Sequence, residues 1–247
     1  MSKLAAILDD MKIVHVRGTP ATGKTCLSEL LRDYYRDKGR KVFLITKWED
    51  LSPEDPWGSL IELVKKRNKG FSSPEQDSCD LSSDTVILVD EAQKSYTDEV
   101  LWNTVLKERQ ATTCVYNFRL CLFCSYGNPN TGPDETFFTP VNLSHGKRIS
   151  LTPQNLQGSP SIGLFYDKEE FKDAVSRLLA FQCPERFSFG ENAQDYVFAL
   201  TDGYPGAVTA IVNVLLQVCV NKLYTSPLFI SLASFVTLFE CPRNGAY

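Results

Sequence analysis

The segment Gly18-Thr19-Pro20-Ala21-Thr22-Gly23-Lys24-Thr25 fits the pattern G-x-x-x-x-G-K-S/T with no mismatch. That spacing suits the cradling of a polyphosphate. Glycines let the backbone curl so that successive N–H groups converge on anionic oxygens, and a following helix presents its positive end there. Lys24 brings a point charge to the β and γ phosphates, and Thr25 brings a hydroxyl to a magnesium ion. Cys26, next in the chain, completes the expected contact set. The expected ligand is a nucleoside triphosphate with Mg2+. The bland alternative is an ordinary Gly-rich turn. Context argues against it, because an apolar run at 12–16 precedes the loop and a helical pattern at 25–35 follows it.

A second group matches the first. Val86-Ile87-Leu88-Val89 ends in Asp90-Glu91, and the carboxyl end of a buried strand is where parallel sheets place their ligands. Asp90 is expected to hold the magnesium, directly or through water, while Glu91 orients and deprotonates an attacking water. Gln93 either contacts the γ-phosphate or caps the next helix. The run 120–124 ends in Ser125-Tyr126-Gly127-Asn128, so a polar side chain there would lie beside the γ-phosphate. Ser125 is the first choice for that role and Asn128 the second, with a Gly-Asn turn as the structural reading. Arg148, at the start of the following strand, reads as a solvated edge residue.

The elements that would position these groups alternate. Strands are expected at 12–16, 42–45, 86–89, 120–124 and 148–151. Helices are expected at 25–35, from Pro56 through Val64, and at 98–108 with Thr97 as the N-cap. Nearly all-apolar strands alternating with helices make a parallel sheet covered on both faces. The polar stretches 68–84 and 127–147 read as loops. Past Pro153 the pattern turns helical. Asp167 caps a helix carrying Phe171, Val175, Leu178 and Leu179, and two more helices are expected at 193–200 and 207–220. The domain reading is therefore a core at 1–155, a helical domain at 160–224 and an apolar tail at 225–247.

Bulk composition narrows the partners. The 247 residues carry a net charge of −4, with 43 % hydrophobic and 23 % charged residues. An acidic chain lacks the field that gathers a phosphate backbone, so nucleic acid is not the expected partner. The tail is too short for a membrane span of about 20 residues. The first ten residues lack the apolar core of a signal peptide, so the expected setting is intracellular, with reduced cysteines. Cys121 and Cys124 form a C-x-x-C that reads as buried strand thiols, although redox chemistry or half a zinc site shares the spacing. Two histidines, His15 and His145, are too few for a His-based metal site or triad.

Taken together, the phosphate loop, the Asp-Glu strand end, the polar strand end and the C-terminal helices resemble the additional-strand Glu class of P-loop ATPases. Within that class they look like the AAA+ and STAND relatives. Thr201-Asp202-Gly203-Tyr204-Pro205-Gly206 is similar to the G-x-P motif of STAND proteins, which implies that Pro205 packs on the nucleotide's base. Asp90-Glu91-Ala92-Gln93, Ser125-Tyr126-Gly127 and the segment 164–171 resemble, more narrowly, the ATPase module of crinkler-type proteins of fungi and oomycetes. The resemblance covers about 12–223 and implies a P-loop NTPase fold with a small helical lid. It carries no delivery or effector domain over to this chain. The implied activity is ATP hydrolysis driving a conformational switch, and the alternative is a nucleotide-binding scaffold with negligible turnover. A helicase would need two such cores. Arg109, Arg119 and Arg148 are the candidates for a catalytic arginine, each also readable as a surface charge. Lacking one in cis, the chain would depend on self-association or a protein partner.

Overall fold

The structure, a computed structural model, describes residues 1–48, 51–52, 54–67, 84–108, 118–125, 143–151, 162–182 and 189–225. The expected loops at 68–84 and 127–147 lie almost wholly outside these, as do Arg109, Asn128 and the tail. The chain divides into two compact units, Met1–Leu164 and Phe165–Tyr247.

The first unit is built on five parallel strands in the order β2-β3-β4-β1-β5. These are β1 (Ile13–Arg17), β2 (Lys41–Ile45), β3 (Thr85–Val89), β4 (Arg119–Cys124) and β5 (Arg148–Ser150). Every residue of β3 and β4 is buried, as expected of strands covered on both faces. Alternation sorts the side chains. Val14, Val16, Val86, Leu88, Cys121 and Phe123 face helix α2 (Lys24–Asp37) and its Leu27, Leu31 and Tyr35. Ile13, Ile87, Val89, Leu120, Leu122 and Cys124 face α3 (Pro56–Arg67) and a segment rich in tryptophan and tyrosine. Cys121 and Cys124 therefore point to opposite faces. The three-residue offset that suggested a redox pair or half a zinc site separates the sulfurs on a strand of period two, and both are free thiols.

Two features differ from the expectation. The residues ahead of β1 form α1 (Ser2–Met11), whose Leu4, Ala5 and Leu8 are fully buried against β1 and β4. Each fully buried leucine contributes about 2 kcal/mol, so this helix is part of the core. Its Asp9 accepts hydrogen bonds from Tyr35 Oη and Arg119 Nε. The expected helix at 98–108 is also remade. Ala92–Thr97 is a 3-10 turn, Val100–Val105 is a π-helix, and only Leu106–Glu108 (α4) is α-helical. Its cap is Asp98, one residue later than expected, whose Oδ1 accepts the Leu101 N–H at 3.0 Å.

The second unit holds α5 (Lys168–Gln182), α6 (Glu191–Thr201) and α7 (Pro205–Thr225) around Phe171, Val175, Leu179, Val197, Val208 and Val212. Asp167 caps α5 as expected. Its Oδ1 accepts the N–H groups of Glu169 and Glu170, and Glu170 returns a bond to the Asp167 N–H, a capping box. Gly203 has φ of +71°, and a Cβ there would lie 2.1 Å from the Tyr166 carbonyl oxygen. Only glycine fits that turn. No helix among the described residues is long and apolar enough to cross a membrane.

Candidate functional site

The phosphate-loop segment leaves β1 at the carboxyl edge of the sheet, anchored by the Gly18 N–H to the Cys124 carbonyl at 3.3 Å. Glycine is needed at 18, because a Cβ would stand 2.7 Å from Thr22 Oγ1. The curl beyond it is made by two left-handed residues, Ala21 at φ +62° and Gly23 at φ +89°. An alanine in that region carries roughly 1–2 kcal/mol of steric strain. Ala21→Gly is therefore expected to raise unfolding stability by up to about 1 kcal/mol, after the extra chain entropy of glycine is deducted. A urea titration checks this, and a lowered midpoint would contradict it.

Lys24 opens α2 but does not stand on an exposed loop. It is only 4 % exposed, and its Nζ donates to the carbonyls of Gly18 (3.1 Å) and Thr19 (2.6 Å) and to Thr22 Oγ1 (3.4 Å). Burial lowers the pKa of this ammonium, while Glu91 and Asp90 oppose that shift. A desolvated cation held by carbonyl dipoles is a ready partner for an anion that offers full charges.

The carboxylates lie at the end of β3. Asp90 is buried, and its backbone is fixed by its N–H to the Ile45 carbonyl at 2.8 Å. Thr25 Oγ1 donates to Asp90 Oδ2 at 2.7 Å, joining residues far apart in sequence. Both groups are oxygen donors of the kind a hard divalent cation takes, so the residues present fit magnesium. Glu91 sits in the left-handed region at φ +51°, a conformation that costs of order 1–3 kcal/mol and gathers at functional sites. Its carboxylate accepts a hydrogen bond from the Gln93 amide and one from Ser125 Oγ at 3.4 Å. Gln93 Oε1 in turn accepts the Ser125 N–H at 3.1 Å. Gln93 thus bridges Glu91 and the end of β4, a role that neither alternative read from the sequence described.

Beneath this cluster is a polar layer that sequence reasoning missed. His15 is buried, with Nε2 at 2.8 Å from Cys124 Sγ and 3.2 Å from Tyr96 Oη. Arg17 Nε donates to its Nδ1 at 3.0 Å. Burial above all, then Arg17 and Arg148, pushes the imidazole well below its usual pKa. Burial also pushes the Cys124 thiol up to about 12. One signal was available, a histidine in the middle of an otherwise apolar strand.

The arginines sort differently from the expectation. Arg119 is buried and paired with Asp9 at the start of β4, the end of the strand away from Glu91. It is neither a surface charge nor placed for catalysis. Arg148 begins edge strand β5 and is partly buried, with an Nε that has no hydrogen-bond acceptor among the described residues. Pro205 belongs to the second unit, where it is the first residue of α7.

No known family profile matches the chain, and no curated protein is similar to it in sequence. Solved structures do match. A Walker-type ATPase of Pyrococcus abyssi superposes with a TM-score of 0.51 at 17 % identity, covering 87 % of this chain and 66 % of that one. The fold is that of the P-loop NTPases. A RuvB mutant of Thermotoga maritima (TM-score 0.48, 14 % identity) is covered over 62 % of its length by 90 % of this chain. Domain III of the replication initiation protein DnaA from Thermotoga maritima scores 0.47 at 15 % identity, over 97 % of this chain and 90 % of that domain. The chain thus spans about two-thirds or less of the length of the first two of these structures. In this fold the segment 18–25, Asp90, Glu91 and Ser125 meet at the carboxyl edge of the strands, where open α/β sheets bind ligands.

Proposed function

We propose that the chain binds ATP with magnesium on 18–25 and hydrolyses it, and that the nucleotide's state governs the helical segment 160–224. The observation that carries this is the Thr25–Asp90 hydrogen bond with the Glu91 carboxylate next along the chain. Lys24 would exchange loop carbonyls for phosphate oxygens, a charge-assisted pairing about twice as strong as a neutral one. Thr25 and Asp90 would hold magnesium, whose charge offsets that on the phosphates. Glu91 would take a proton from water as the water oxygen bonds to the γ-phosphorus and the bond to the β,γ-bridging oxygen breaks. The products are ADP and inorganic phosphate. Gln93 and Ser125 fix the carboxylate that does this. Pro205 would pack on the adenine and so report nucleotide state to the helices. The motif-level resemblance to AAA+, STAND and crinkler-type ATPases supports the same reading.

A nucleotide-binding scaffold with negligible turnover is the second reading. The engagement of the Glu91 carboxylate by Gln93 and Ser125 favours it. Phosphate release by purified protein across a concentration series, in magnesium and in excess EDTA, with and without nucleic acid, separates the two. Hydrolysis predicts release that needs magnesium, with a rate per chain that climbs with concentration if a second copy supplies an arginine. ATP binding with no release above a Glu91→Gln control would establish the scaffold.

A further inference from the structure

Cys124 is a junction. Its carbonyl accepts the Gly18 N–H where the phosphate loop begins. Its side chain meets His15, in the strand that feeds that loop, and the same imidazole nitrogen meets Tyr96, in the turn that follows Glu91. One residue further on, the Ser125 N–H donates to Gln93 Oε1. The turn Ala92–Thr97 is thus fastened to the end of β4 twice, directly by Gln93 and through His15 by Tyr96.

The proton placement follows from chemistry. A guanidinium only donates, so the Arg17 Nε–H fixes His15 Nδ1 as an acceptor. The neutral imidazole then carries its proton on Nε2, which faces Cys124 Sγ and Tyr96 Oη. Trp102 stands edge-on to the imidazole and donates through Nε1 to Ser95 Oγ at 3.2 Å, and Ser95 closes on the Ala92 carbonyl at 2.7 Å. Apolar side chains could fill this buried layer without loss of stability, whereas a satisfied polar network admits a single arrangement.

We propose that His15, Cys124 and Tyr96 are positioning residues that hold the 92–97 turn, and with it Glu91, in register with the phosphate loop. This rests on the ATPase reading. The three act by fixing where the turn sits, and a misplacement of about 1 Å can cost on the order of 100-fold in rate.

The test is Tyr96→Phe, which removes one hydroxyl and keeps the ring, with His15→Gln as a second variant that retains an N–H donor. Turnover, KM for ATP, nucleotide affinity and melting temperature are measured for both. The expected result is a kcat at least about 10-fold lower in Tyr96→Phe, with KM and affinity within about 2-fold of wild type. His15→Gln should lie between the two. Equal kcat in Tyr96→Phe and wild type overturns the positioning role and leaves the ATPase reading standing. Joint loss of melting temperature and nucleotide affinity overturns it in favour of a packing role. A wild-type protein that releases no phosphate overturns both readings at once.

Discussion

Glu91→Gln is expected to bind ATP and magnesium as wild type does while phosphate release falls by about 10²–10⁴-fold, the range of a lost general base. The amide keeps the size of the carboxylate and can still orient a water, but it cannot take the proton. The backbone should not change, because glutamine meets the same constraint at φ +51° as glutamate. Ser125 Oγ can still donate to the amide oxygen where it now donates to Glu91. Nucleotide affinity by fluorescence and single-turnover phosphate release are the two measurements. Equal release from the two proteins would remove Glu91 from the chemistry and favour the scaffold.

Lys24→Ala should abolish useful nucleotide binding. Hydrogen bonds involving a charged partner contribute roughly 1.5–3 kcal/mol each, so losing two to phosphate weakens affinity by about 100-fold or more. The effect on folding should be smaller than a buried lysine suggests. This ammonium is desolvated, and its partners are loop carbonyls and a hydroxyl. Removing it relieves a buried charge and frees those oxygens, so the melting temperature should move by only a few degrees, about what 1 kcal/mol produces. Calorimetric titration with ATP and a thermal melt check the two halves. Unchanged affinity would exclude the loop as the phosphate site.

Much of the candidate site's geometry was legible because its residues are local. Gly18 to Thr25 and Asp90-Glu91 are contiguous segments flanked by strongly apolar strands, and the structure sets Thr25 beside Asp90. What was not legible depends on pairing across the sheet. Nothing near His15 in sequence announces that Cys124 and Tyr96 will surround it, since that follows from β1 lying against β4. Gln93 was ambiguous for the same reason, its partner Ser125 lying on another strand. Helix α1 was overlooked because Leu4, Ala5 and Leu8 make a short stripe in a segment with no N-terminal side-chain cap. The π-helix at Val100–Val105 has the apolar periodicity of an α-helix, so only the backbone distinguishes them. Arg119 reads as a surface charge until Asp9, more than a hundred residues earlier, is seen beside it.

The strand order also governs how the molecule comes into being. β2 and β3 adjoin each other, but β1 pairs with β4 and β5, so Ile13 waits for Leu120 and His15 for Arg148. At about 5–20 residues per second on the ribosome, the first strand has no neighbour for many seconds. Over that interval the leucines of α1 and the valines of β1 have no sheet to cover. Such long-range parallel pairing slows folding and leaves nascent chains open to aggregation. Synthesis halted before β4 would yield every residue of 18–25 and no strand beside β1, so the proposed ligand site cannot form until β4 has been made.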